Sequence, residues 1–460
     1  MNVTFLGAAR EVTGSCHLLR VGSSTVALDF GMFQGRRSDA NEKNQTLPFD
    51  VKELTAVVLS HAHIDHSGRL PMLARYGYDG PIYATPATHD LCAIMLADSA
   101  YIQKKDAELL RRRNREVAPP LYDAHDVAKV MSRMIGIPYD TPFDVAPGIR
   151  ATFVEAGHIL GSASVVLECT EGATKRRLVF SGDVGRWGLP IIRDPNPPEG
   201  TDVVILESTY GNRDHTPVAE MPDRLAQIVR ETAAKGGRVI VPAFAVGRAQ
   251  ELIYDLHRLS RANAIPAIPI VLDSPLAIAA TTIFATNPEA YDRGEALVNE
   301  VDDLFDFDRL EFTRDATASK ALNSRHGPMI VIAASGMAEA GRILHHLANG
   351  APDPKNTILI VGFQAEHTLG RRIVERRETL KIYGEDVPLR ARVDVLDGYS
   401  AHADRGELRR WIDAVRGDSK RDLPVHLVHG EPEAQDAFAD SLRADGYVVT
   451  APERGTSIPL

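Results

Sequence analysis

What this 460-residue chain has little of narrows the field first. It carries three cysteines, Cys16, Cys92 and Cys169, far apart and with no C-x-x-C pair. An odd, scattered set argues against a disulfide framework or a thiolate zinc site and leaves buried spectator thiols. No apolar run is long enough to span a bilayer, and no basic-then-apolar leader opens the chain. Val3 to Leu6 is too short for a signal peptide and reads as a strand, so a cytoplasmic protein without a membrane partner is expected. Excess positive charge is also missing: 52 Lys and Arg stand against 62 Asp and Glu, a formal net charge of −10. A basic, sequence-blind nucleic-acid binder has the opposite balance. An enzyme acting on nucleic acid survives that test if bound cations supply positive charge locally.

The length predicts more than one domain, or one domain with a large insertion. The chain is organised around Leu59-Ser60-His61-Ala62-His63-Ile64-Asp65-His66-Ser67-Gly68. Ala56 to Leu59 reads as a strand, and Gly68 to Tyr76 as a helix with Pro71 in its first turn. Three imidazoles and a carboxylate therefore crowd six residues of a strand-to-helix loop. Neutral imidazole and carboxylate suit a borderline divalent cation, zinc above all. A plain polar loop rarely concentrates them in this way.

Further candidates follow other strands. Asp29 ends Thr25 to Phe30, where a lone aspartate ordinarily caps a turn. His158 lies between glycines after Ala151 to Glu155. Asp183 sits on Ser181-Gly182-Asp183-Val184-Gly185 after Arg177 to Phe180, and Glu207 ends the run from Asp202 to Leu206. His402 follows a strand at Arg392 to Leu396, and His429 follows one at Pro424 to Val428. The arginine run Arg111 to Arg115 closes a helix predicted over 86–117 and reads as a solvated helix end. His345 and His346 read as structural.

From about residue 212 helices and strands alternate, with strands at Arg238 to Val241, Ile268 to Leu272, Met329 to Ile332 and Thr357 to Val361. Such alternation predicts a parallel sheet in an inserted domain. Three of its turns end in arginine: Pro242 to Arg248, Ala333 to Arg342, and Gly362 to Arg372. Free N–H groups at a helix start, a glycine and a nearby guanidinium suit an anion.

The H-x-H-x-D-H loop resembles the signature of the metallo-β-lactamase superfamily. In order and spacing, the later motifs resemble its β-CASP ribonuclease branch, the cleavage-factor and RNase J type, over nearly the whole chain. That resemblance implies an α/β fold: an αββα sandwich (1–211 and 386–460) interrupted by a parallel α/β insert (212–385). It implies two zinc ions, one on His61, His63 and His158, the other on Asp65, His66 and His429, with Asp183 bridging and Asp29 orienting ligands from behind. A hydroxide between the metals would attack phosphorus. His402, oriented by Glu207, would protonate the leaving oxygen. Ser335, Gly336, Arg342, Thr368, Arg371 and Arg248 would contact phosphates.

His429 favours RNA, since DNA-repair members carry a different residue there. The expected substrate is single-stranded RNA, cut endonucleolytically with scope for 5′–3′ exonuclease action. An inactive RNA-processing scaffold and a DNA nuclease are the alternatives; the filled ligand set weighs against the scaffold. With the chain opening on a strand, no N-terminal KH domain is expected, and a homo-oligomer is compatible with the chain. One departure stands out: glycine is expected before Thr368, and His367 is there. If that position needs a positive φ, histidine is a costly choice.

Overall fold

The structure, a computed structural model, describes residues 1–112, 119–292, 305, 307–417 and 422–460. It divides into two compact units: Met1–Trp187 with Asp194–Asp214 and His402–Leu460, and Gly188–Arg193 with His215–Ala401.

Two seven-stranded sheets build the first unit. One runs Ser457–Pro459, Asn2–Gly7, Cys16–Val21, Ser24–Leu28, Ala56–Val58, Ile82–Ala84, Met134–Gly136. The other runs Val448–Thr450, Pro424–Val428, Val203–Glu207, Thr174–Phe180, Ala163–Glu171, Ile149–Glu155, Phe143–Ala146. Alternation along a strand sorts the side chains into layers. Val203 and Ile205 join the core between the sheets, with Val3, Phe5, Leu19 and Phe153. Val204 and Leu206 face the other way, toward Leu408, Trp411, Ile412 and Val415 of helix Arg405–Arg416. A capping box starts that helix, Asp404 and Glu407 each accepting from the other's backbone N–H. Helices Pro86–Arg112 and Ala124–Met131 pack together on the strand Met134–Gly136 side. The result is the expected αββα sandwich.

The second unit holds a six-stranded sheet in the order Leu310–Phe312, Ile270–Leu272, Met329–Ala333, Arg238–Pro242, Thr357–Ile360, Arg392–Val395. Every pairing in it is parallel. The last strand corrects the expected return to the sandwich at 386. Arg392–Val395 pairs with Thr357–Ile360, Val393 is buried in that unit's core, and the unit runs on to Ala401. Alternating residues announce a strand but not which sheet takes it.

Other expectations meet the structure locally. The long helix is described as Pro86–Arg112; Arg113, Asn114 and Arg115 lie outside the described residues. His367 has φ +67°, so its position does need the left-handed region, at a cost of about 1–2 kcal/mol for a residue with a Cβ. Among the described residues no helix is long and apolar enough to cross a membrane.

Loop 29–32 packs backbone to backbone on the histidine loop. Phe30 N donates to His66 O at 2.8 Å and Met32 N to Ile64 O at 2.9 Å. A Cβ on Gly31 would lie 1.6 Å from Asp65 O, which only glycine avoids. Gly31→Ala should therefore lower stability by about 3 kcal/mol, the upper end for overpacking, read from the urea midpoint. Gly406→Ala, whose methyl meets nothing closer than 3.4 Å in a helix, should be neutral or stabilising. Equal midpoints for the two variants would contradict this packing.

Candidate active site

Strands Thr174–Phe180, Val203–Glu207 and Pro424–Val428 run parallel and adjacent. Their carboxyl ends lie side by side and carry Asp183, Glu207 and His429, the edge where open α/β sheets place their chemistry. Ala56–Val58 of the facing sheet leads into the histidine loop, where His63 precedes a short helix, Ile64–Ser67, that carries Asp65 and His66. His158 follows Ile149–Glu155. The loop of His402 is tied to that of Asp183 by Ala403 N donating to Val184 O at 2.8 Å.

All these side chains belong to the first unit and converge. His63 Nδ1 lies 3.1 Å from both His61 Nε2 and His158 Nε2. His66 Nε2 and His429 Nε2 are also 3.1 Å apart, with Asp65 Oδ2 3.5 Å from the latter. Asp183 divides its oxygens between the two groups. Its Oδ2 is 3.4 Å from His61 Nε2 and 3.5 Å from His158 Nε2, while Oδ1 is 3.3 Å from His66 Nε2 and 3.6 Å from His429 Nε2. Four-coordinate zinc with bonds of about 2.0–2.1 Å needs donor atoms roughly 3.3 Å apart, which these spacings match. Burial holds His61 well below its ordinary value and His63 down at about 4, leaving neutral imidazoles with lone pairs for a cation. Donor type and spacing thus fit zinc at both groups, and protonation fits it at His61 and His63.

Partners behind the cluster fix the ring orientations. His66 Nδ1 faces Asp29 Oδ2 at 2.7 Å. Asp29 is itself held by Ser60 N at 2.8 Å, Ser60 Oγ at 2.9 Å and Ser15 Oγ at 3.1 Å. Ser60 Oγ also lies 3.1 Å from His61 Nδ1. Asp29 adopts φ +60° to reach this position. Burial opposes a charge on His66, but Asp183 and Asp29 outweigh it and raise its pKa well above the ordinary value, so a proton and a cation compete for this ring.

His402 Nδ1 lies 3.1 Å from Glu207 Oε1. That carboxylate accepts from Val184 N at 2.9 Å and Thr209 N at 3.1 Å. Burial works against a charge on His402, but Glu207 first, then Asp183 and Asp65, outweigh it and hold the imidazole above its ordinary value.

The insert's expected phosphate contacts fare unevenly. Arg248 is buried at 3% exposure, its guanidinium held by the Glu251 carboxylate and the Tyr399 carbonyl, so it serves the start of its helix and not an anion. Arg342 donates to Asp273 Oδ1 at 2.7 Å and Thr313 O at 2.8 Å, an internal brace. Thr368 caps helix Leu369–Val374 through Arg371 N. A Cβ on Gly336 would meet the Phe244 ring at 2.5 Å, a packing reason for glycine. Ser335 Oγ accepts from Glu339 N at 3.3 Å. Arg371 pairs with Glu375 at 3.2 Å and is one-third exposed, so it can still exchange that carboxylate for a phosphate. His346, read as structural, braces the same Asp273 at 2.6 Å.

Sequence reading passed over Ser60, Ser15 and Thr209. Their hydroxyls act only through neighbours, and the one available signal was the place of Ser60 and Thr209 beside residues already singled out.

Three family models match the chain: a beta-lactamase superfamily domain over residues 30–241, a Beta-Casp domain over 249–373, and a Zn-dependent metallo-hydrolase RNA specificity domain over 386–452. Ribonuclease TTHA0252 of Thermus thermophilus is 39% identical over all of both chains. Transcription termination factor FttA of Pyrococcus abyssi is 34% identical over all of this chain and 71% of its own. A crystal structure of a protein of unknown function from Enterococcus faecalis shares the fold, with TM-score 0.51 at 14% identity over 100% of this chain and 99% of that one. Fold and site define a metal-dependent hydrolase of the metallo-β-lactamase superfamily. Within it, the chain belongs to the β-CASP ribonuclease family.

Asp29→Asn removes the negative charge behind His66. It should weaken zinc binding about tenfold in a chelator competition, the low end for partners behind a metal ligand. Affinity within threefold of wild type would contradict the orienting role of Asp29.

Proposed function

We propose that the chain is a two-zinc ribonuclease that hydrolyses phosphodiester bonds of single-stranded RNA. The observation that carries this reading is the split carboxylate of Asp183, one oxygen toward His61 and His158, the other toward His66 and His429. One carboxylate serving two donor groups supports a pair of cations, with His61, His63 and His158 holding one and Asp65, His66 and His429 the other. Zinc bound there supplies Lewis acidity at the phosphoryl oxygens and acidifies a water for in-line attack on phosphorus.

The chain's own residues do the rest. Burial disfavours the charge on Asp183, but His429, His66 and His61 outweigh it and keep its pKa far below the usual carboxylate range, so it stays anionic. His402, its imidazole held above its ordinary value chiefly by Glu207, delivers a proton to the leaving alkoxide, while Glu207 fixes its ring through Nδ1. In the insert, Arg371, one-third exposed, is the side chain offered to an RNA phosphate. RNA as the polymer is supported by His429 at the last motif and by the relative whose name is a ribonuclease.

End-labelled single-stranded RNA and DNA of one sequence, each with and without chelator, test the reading together. RNA cut to internal fragments without chelator, and DNA left whole, is expected. DNA cut equally well would overturn the polymer choice. RNA cut equally well under chelator would overturn the metal, and an intact RNA would favour a scaffold. Removal of mononucleotides from the 5′ end would identify an exonuclease mode.

His402→Ala should keep its zinc and lose about 10²- to 10⁴-fold in kcat; an unchanged kcat would remove His402 from the chemistry. Glu207→Gln deletes the main cause of the raised His402 pKa. Since His402 acts protonated, the alkaline fall of kcat should begin at lower pH in that variant. A limb that stays in place would rule out this pairing as the source.

A further inference from the structure

We propose that Thr209 is a positioning residue that fixes the tautomer and backbone of His429, so that Nε2 of that ring presents a lone pair to the second cation. The proposal rests on the reading of His429 as a cation ligand. Thr209 is 4% exposed and follows the end of Val203–Glu207 by two residues. Its Oγ1 lies 3.0 Å from His429 Nδ1, 3.1 Å from His429 O and 3.4 Å from His402 Nδ1.

Hydrogen accounting gives these contacts a direction. His429 Nε2 points into the cluster, 3.1 Å from His66 Nε2 and 3.6 Å from Asp183 Oδ1. For Nε2 to bind a cation, the proton of a neutral ring must sit on Nδ1. Thr209 Oγ1 is the acceptor that Nδ1–H meets. The hydroxyl hydrogen then needs its own acceptor. His402 Nδ1 directs a hydrogen at Glu207 Oε1, 3.1 Å away, and cannot accept. The His429 carbonyl is the remaining choice. One hydroxyl thus accepts from the ring of His429 and donates to its backbone.

That double hold has a reason in the backbone. His429 sits at φ +51°, a region that residues with a Cβ enter only under constraint. Its N donates to Ala8 O at 2.7 Å, and its carbonyl also accepts from Ser208 N at 3.2 Å. Neither contact touches the ring. Among the described residues, Thr209 alone orients the ring on its Nδ1 side, as Asp29 orients His66 at 2.7 Å. A neutral hydroxyl leaves the ring less electron-rich than a carboxylate would, so the two histidine ligands of this cation are supported unequally.

Thr209→Val, Thr209→Ala and Thr209→Ser test the idea by chelator competition for zinc, with folding followed by circular dichroism. Valine replaces the hydroxyl by a methyl; serine keeps the hydroxyl. Valine should weaken the more loosely held zinc about 10- to 100-fold, and serine should stay within threefold of wild type. If valine does not fold, alanine is read in its place. Valine or alanine binding both zinc ions as tightly as wild type would overturn the role of Thr209, as would serine losing as much as valine. A wild-type protein that binds fewer than two zinc ions would instead overturn the two-zinc reading on which the proposal stands.

Discussion

Burying charge without a partner is costly, and the first unit is arranged around that cost. His61, His66, His158, Asp29, Asp183, Glu207 and His429 are all at most 2% exposed. Imidazoles, carboxylates and their hydrogen-bond donors must therefore balance one another there. Asp183 meets four imidazole nitrogens, and Asp29 takes the far side of His66 together with two serine hydroxyls. A bound cation would complete the balance that protons otherwise supply.

Strand register makes the balance geometrically available. Of three neighbouring parallel strands, one ends on Glu207 itself, and the other two run on by three residues to Asp183 and by one to His429. The facing sheet supplies the histidine loop. Strain is accepted where the delivery requires it: Asp29 and His429 both sit at positive φ, each at a cost of about 1–3 kcal/mol. Gly31 and Gly185 let backbone segments approach where a Cβ would lie within 1.7 Å of a carbonyl oxygen. The insert uses a different economy, with Arg248 and Arg342 spent on internal braces.

The sequence made much of this legible. Six residues of the histidine loop announce metal chemistry by composition alone, and strand-to-helix alternation announces the parallel sheet of the insert. His158, Asp183, His402 and His429 are weak signals singly and gained force only through resemblance. What escaped lies in tertiary contact. Arg392–Val395 reads as a strand in either unit, and only its pairing with Thr357–Ile360 decides. An arginine after a glycine-bearing turn suits an anion, yet Arg248 meets Glu251 within its own first turn. Thr209 and Ser60 carry no chemistry of their own, so nothing in their type points to a site.

The most direct measurement of the central claim is zinc-edge anomalous scattering from a crystal of the purified protein. The account predicts two peaks of comparable height, one among His61, His63 and His158, the other among Asp65, His66 and His429, with Asp183 touching both. A single peak, or peaks away from these side chains, would contradict it.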